Sequence, residues 1–309
     1  MNYSLTDAQS PYLMEGSMEL SNLTLLSGET FDESVLGVVA LRQQSSTSFQ
    51  SALLHDYDMI VMMLHDDVER GKNISHSITG EVRTQTLHVD LPTLQRAVTA
   101  GDNNELITSL ISGEVIWDPL GIMGSLRNTI IKFENPLRER VMFMEFARFL
   151  HMYVKAKRYL GAGCVMDAYN CVLIALYHWA RIEVSEGGRF PEPAVWEQLR
   201  SQNTSVYKLY EELTISTETL EQRVELILLA CEFSLMSKMN DCSSFLLSIL
   251  GSRKEAWSVE ELLKQSGLSH LAAELPLTLR KLSSRSLIRE ITSWADKGTS
   301  DGHEIRYTI

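Results

Sequence analysis

Asp56, Tyr57 and Asp58 stand immediately before an apolar run, MIVMML at residues 59–64. Side chains of an extended chain alternate between two faces, so both carboxylates project to one side, close enough to share a divalent cation that offsets their repulsion. Such a cation would clamp the phosphates of a nucleotide and help activate an incoming hydroxyl, which is the chemistry of phosphoryl or nucleotidyl transfer. The same tripeptide also suits a plain acidic turn ahead of a strand, because D-x-D is common. A third carboxylate is expected from a neighbouring strand. Asp90 follows His88 and Val89, and an antiparallel pairing of strands would bring it beside Asp56 and Asp58. Its alternative role, and the favoured one, is to cap a helix that begins at Leu91-Pro92. Asp66 and Asp67, beyond the apolar run, read as a solvated turn.

Other chemistries lack their signatures. The chain contains no G-x-x-x-x-G-K-[ST], no G-x-G-x-x-G and no G-x-S-x-G, so the common phosphate cradles and the serine-hydrolase elbow are missing. Cys164, Cys171, Cys231 and Cys242 form no C-x-x-C pair, which argues against a zinc ribbon or a disulfide framework and for reduced thiols in the cytoplasm. His151, His178 and Trp179 lie in helical patterns and read as core or groove residues. Lys155, Lys157, Arg158 and Arg181 could meet phosphates in a cleft, although a solvated helix face accounts for most of them.

The elements that must position these residues follow from periodicity. VLGVVAL (35–41) and MIVMML (59–64) read as buried strands, and residues 81–89 as a third, with 71–80 a loop between. Short helices are expected at 94–100 and 105–111, then an apolar segment at 115–117. From Asn135-Pro136 the pattern is helical: one helix to Gly161, a second over 164–186 ending at Gly187-Gly188, short ones near Trp196 to Leu213, and a long one over 220–250 opened by a Thr219/Gln222 capping box. Ser258 with Glu261 opens three short helices ending near Ser284, and two strand-like segments follow at 287–294 and 304–309. Three helices and then a hairpin is the order of a winged helix. The reading is therefore multidomain α+β: a mixed sheet with helices over 1–120, a helical bundle over 121–250 and a winged helix over 251–309.

Charge sharpens that division. The 309 residues carry 28 Lys/Arg against 40 Asp/Glu, net −12, and residues 1–120 alone hold 5 against 17, also net −12. So acidic a segment repels a phosphate backbone unless cations intervene, and it suits a divalent-cation site. In the last segment Arg280, Lys281, Arg285 and Arg289 cluster on and after the third helix, where a winged helix would contact DNA phosphates. With 9 basic against 8 acidic residues, that segment equally suits a protein partner. No basic n-region with an apolar h-region opens the chain, and no apolar run is long enough to span a bilayer.

The run at residues 178–233, HWARIEVSEGGRFPEPAVWEQLRSQNTSVYKLYEELTISTETLEQRVELILLACEF, together with HDYDMIVMM and GEVIWD, resembles the bacterial nucleotidyltransferase-like proteins. That resemblance implies a nucleotidyltransferase-fold domain, a helical substrate-binding-like domain and a C-terminal helix-turn-helix. It further implies Mg²⁺ and a nucleoside triphosphate at Asp56 and Asp58, with transfer to an acceptor that the resemblance does not name. Active members of the superfamily carry a Gly-Ser or Gly-Gly pair after the first strand; here the strand runs into Ala40-Leu41-Arg42-Gln43-Gln44, and Ser45, Ser46 or Ser48 would have to substitute. The missing pair motivates a rival expectation, a catalytically degenerate fold kept as a regulator or scaffold that binds DNA or a protein through residues 251–309.

Overall fold

The computed structural model describes residues 34–42, 57–66, 74–100, 104–200, 202, 204–265, 267–294 and 303–309. The chain divides into two compact units, Met1–Asn128 and Thr129–Ile309.

In the first unit the strands are β1 (Val35–Arg42), β2 (Met59–His65), β3 (Ile74–Thr79), β4 (Val82–Asp90) and β5 (Glu114–Trp117). Helices α1 (Leu91–Ala100) and α2 (Asn104–Ser112) separate β4 from β5, and α3 (Ile122–Lys132) follows. The sheet order is β3-β4-β2-β1-β5. β2 is buried on both faces because it lies at the centre, which explains an apolar run without alternation. Met59, Val61 and Met63 pack with Val35, Val38 and Ala40 on one face. On the sheet, α2 packs against β1 and β2, and α1 against β4.

Strand β3 occupies part of the expected 71–80 loop. Its apolar residues Ile74 and Ile78 point outward, 56% and 69% exposed, so the hydrophobic pattern carries no inward face to recognise. The ladder to β4 makes it a strand: Ile74 pairs with Leu87 and Thr79 with Val82. The two-residue turn at Gly80-Glu81 needs a positive φ, and Gly80 supplies it at 64°.

Between α2 and β5, Gly113 donates its N–H to Ser109 O at 2.9 Å. A Cβ there would come within 2.4 Å of both Ser109 O and Val39 Cγ1, so the backbone approaches β1 at a distance that glycine alone permits. Arg127 on α3 clamps the same turn, its Nε donating to Leu110 O at 2.8 Å and its terminal nitrogen to Gly113 O.

The second unit begins with two long helices, α4 (Leu137–Gly161) and α5 (Val165–Glu186), joined by a short turn and packed on each other. Phe149 and Trp179 stack between them at 5.7 Å. After α6 (Val195–Arg200) and α7 (Ser205–Ile215) comes α8 (Leu220–Cys242), opened by the Thr219/Gln222 capping box. The expected single helix over 220–250 divides at Ser243, which ends α8 and begins α9 (Ser244–Leu250). There the chain tightens, Ser243 N–H bonding to Asn240 O three residues back, a break that apolar spacing does not register because both flanks are buried.

The last segment holds α10 (Val259–Leu263), with its Ser258/Glu261 capping box, and α11 (Leu275–Ser284). The first of the three expected helices ends at Leu263, short of Gly267, and residues 269–274, where the second was expected, form turns, so the three expected helices are two. A hairpin of β6 (Arg289–Trp294) and β7 (His303–Thr308) follows, and Trp257 bridges to Tyr307 through two 2.8 Å main-chain bonds. Because α11 packs on α4, this segment belongs to the same unit as the helical bundle.

One buried charge cluster holds α4 and α5 together. Glu145 is 1% exposed, and its two oxygens accept from Arg181 Nε and from His178 Nδ1, each at 2.7 Å. Burial by itself would raise the carboxyl, but Arg181 and the His178 hydrogen bond outweigh it and bring Glu145 down to about 2. Arg181 is itself buried and spends a further N–H on Pro191 O at 3.3 Å.

Two outcomes follow. Gly113→Ala should lower unfolding stability by about 1–3 kcal/mol, measured by denaturant titration, since neither Ser109 O nor Val39 can retreat from a new methyl group. A carboxyl depressed in the folded state stabilises above its unfolded pKa. The Glu145 contribution, about 3 kcal/mol, should therefore be complete above pH 5 and be lost as pH falls from 4.5 toward 2. Glu145→Gln should remove that share of the acid limb and destabilise the neutral protein by about 3–5 kcal/mol, because Arg181 is left buried and unpaired.

Candidate functional site

Asp58 lies one residue before β2 and is tied to the start of β4. Its main-chain N–H donates to Arg83 O at 2.9 Å, and its carboxylate Oδ2 accepts the Arg83 N–H at 2.7 Å. These bonds extend by one residue the parallel ladder in which Met59 pairs with Thr84. Asp58 is thus held at the sheet end with its carboxylate exposed, one oxygen bonded to a main-chain donor. Arg42 closes β1 opposite Met59, and the exposed Arg83 stands beside Asp58, so two cationic side chains belong to this end. Sequence reasoning passed over both; Arg42 had a signal, because it closes an apolar strand at the point where a phosphate cradle is sought. Tyr57 lies against His76 of β3, ring centroids 4.7 Å apart and planes tilted by 32°.

Asp90 does not join them. β2 and β4 run parallel, not antiparallel, so Asp90 pairs with His65 at the opposite end of the sheet, roughly 23 Å from Asp58 along seven residues of strand. The physical reason is the edge strand: β3 takes the antiparallel partnership with β4, and the hairpin returns the chain in the direction of β2. Asp90 Oδ1 accepts the Thr93 N–H at 2.6 Å, the capping role at the start of α1. Level with Asp58, β4 presents Arg83 and Thr84 and no carboxylate. Asp56, Asp67, Ser45, Ser46 and Ser48 lie outside the described residues.

Asp58 suits a Mg²⁺ ion, a hard cation that takes one or two carboxylates and completes its shell with water and phosphate oxygens. Among the described residues no cluster of three His, Cys, Asp or Glu offers a fuller cage.

The basic residues of the second unit divide between internal pairs and solvent. Arg181 is consumed by Glu145, and Lys157 pairs with Glu232 at 3.2 Å, which also accepts from the Tyr153 hydroxyl at 2.6 Å. Burial and that bond push Tyr153 up to about 12. Lys155 lies 5.9 Å from the Tyr159 ring centre, and Arg158 is exposed. On and after α11, Arg280 and Arg285 are exposed and Lys281 is half-buried. Arg289 donates two guanidinium bonds, 3.2 and 2.7 Å, to Ile309 O. Among the described residues no helix is long and apolar enough to cross a membrane.

Comparison with known proteins places both halves. Residues 24–140 match the model of the Nucleotidyltransferase-like family, and residues 139–238 that of the YgxA-like substrate binding domain. The protein YgxA of Bacillus subtilis (strain 168) is 32% identical over 254 residues, covering 82% of this chain and 85% of its own. The crystal structure of a nucleotidyltransferase-like protein from Exiguobacterium sibiricum 255-15 superposes with a TM-score of 0.75 at 28% identity, over 89% of this chain and 93% of that one. With an N-terminal sheet, a helical second unit and matches across both, the chain belongs to the nucleotidyltransferase-like family and carries a YgxA-like substrate-binding domain.

Proposed function

We propose that the chain binds a nucleoside triphosphate with Mg²⁺ at the Asp58 end of the sheet, with Asp56 as the second carboxylate and the YgxA-like domain taking an acceptor. The observation that carries this reading is the Asp58 carboxylate held by the Arg83 main chain at the entry to a buried central strand, in a domain of the nucleotidyltransferase-like family. When bound, the ion would neutralise triphosphate charge that the acidic domain otherwise repels. Arg42 and Arg83 are suited to the remaining phosphate oxygens. Ser45, Ser46 and Ser48 are proposed to supply hydroxyls in place of the missing glycine pair.

A second reading, nucleotide binding without transfer, is favoured by β4. Its residues level with Asp58 are Arg83 and Thr84, so at that end the strand offers no carboxylate to take a proton from an incoming hydroxyl.

Calorimetry with ATP should show binding that requires Mg²⁺. Asp58→Asn, which keeps an oxygen for the Arg83 N–H but removes the charge, should weaken it at least tenfold. No binding at millimolar ATP sinks the proposal. Release of pyrophosphate from bound ATP would decide for transfer, and ATP recovered intact across a panel of hydroxyl and amine acceptors for binding alone.

A further inference from the structure

We infer that the Tyr57–His76 ring pair is the nucleobase platform of this site, an inference that rests on the nucleotide-binding reading above and names the part of the ligand it adds. Tyr57 is the residue directly before Asp58, and its ring lies 4.7 Å from the His76 ring at 32° between planes. His76 sits on β3, the outer strand of the sheet, and is exposed. Two residues to either side on the same strand face, Ile74 and Ile78 are 56% and 69% exposed. Exposed apolar groups on an edge strand invite aggregation, and protein edges are ordinarily blunted with charge or proline. Here the edge carries an aromatic pair flanked by two isoleucines instead.

The neighbours of that patch give it a direction. Ile78 pairs with Arg83, and Arg83 holds Asp58. Passing inward from the edge, the surface therefore runs from aromatic rings to a guanidinium and then to a carboxylate suited to a cation. A nucleoside triphosphate has the same order of chemistry: a flat base, then a ribose, then phosphates that carry the metal. Stacking on a ring is indifferent to the identity of the base, because every base has a π-face, so the platform selects nucleobase-bearing phosphates over bare polyphosphate without choosing among bases. Tyr57 adjoins Asp58 in the chain, which couples base and metal recognition to neighbouring residues.

The test compares two probes on the full chain by calorimetry, Mg·ATP and Mg·tripolyphosphate, the latter lacking base and ribose. Tyr57→Ala should weaken Mg·ATP about tenfold and leave Mg·tripolyphosphate unchanged, whereas Tyr57→Phe should bind both as the native chain does. His76→Ala, on an exposed edge with little packing to lose, should act in the same direction and covers the case in which Tyr57→Ala does not fold, judged by thermal unfolding. If either alanine variant folds and binds Mg·ATP as the native chain does, or loses both probes alike, the platform is overturned while nucleotide binding stands. If the native chain binds tripolyphosphate but prefers it to ATP, the platform is also overturned. Failure of the native chain to bind ATP at all overturns the nucleotide reading and the platform with it.

Discussion

The parallel pairing of β2 with β4 is the constraint on which the first unit turns. It sets Asp58 against Arg83 at one end of the sheet and His65 against Asp90 at the other, so the carboxylates are sorted to opposite ends. The pairing is possible because β3 lies outside β4 and returns the chain through a two-residue turn, leaving the other edge of β4 to β2. β2 is then sheathed on both sides by strands and on its faces by core residues. Ladders on both edges hold the register of a strand whose uniform apolar run would not fix it alone, and the residue before it is correspondingly well positioned.

Electrostatics gives that end of the sheet its character. The acidic surplus of the protein resides in the first 120 residues, yet Asp58 is accompanied by Arg42 and Arg83. One exposed carboxylate and two guanidinium groups thus stand at one end of a sheet in an otherwise acidic domain. The second unit treats charge differently. There Glu145, Arg181 and His178 are withdrawn from water and satisfied by one another, joining two helices, so a cluster of titratable residues serves the scaffold.

Much of this was legible along the chain. The buried strands, the two long helices, both capping boxes and the family resemblance rest on local patterns whose physical causes are themselves local: apolar runs, helical spacing, a hydroxyl three residues before a glutamine or glutamate. Three features were not. Strand β3 exists because β4 offers it a ladder, while its own isoleucines face outward. The break at Ser243 lies between two buried stretches and leaves the periodicity intact. Arg181, read as a phosphate contact or a solvated residue, is buried because Glu145 waits on the facing helix, 36 residues away.

Sequence by itself determined the division into an acidic α/β portion and a helical remainder, the candidate Asp pair and its place at the mouth of a buried strand, since composition and spacing are properties of neighbours in the chain. It also favoured Asp90 as a cap, because a cap needs only the three residues that follow it. Only the tertiary structure decided that Asp90 lies at the far end of the sheet from Asp58, that Arg42 and Arg83 belong to the same end as Asp58, and that Tyr57 meets His76. Those outcomes depend on strand direction and order, which are set by how the whole sheet buries its apolar faces and not by any segment alone.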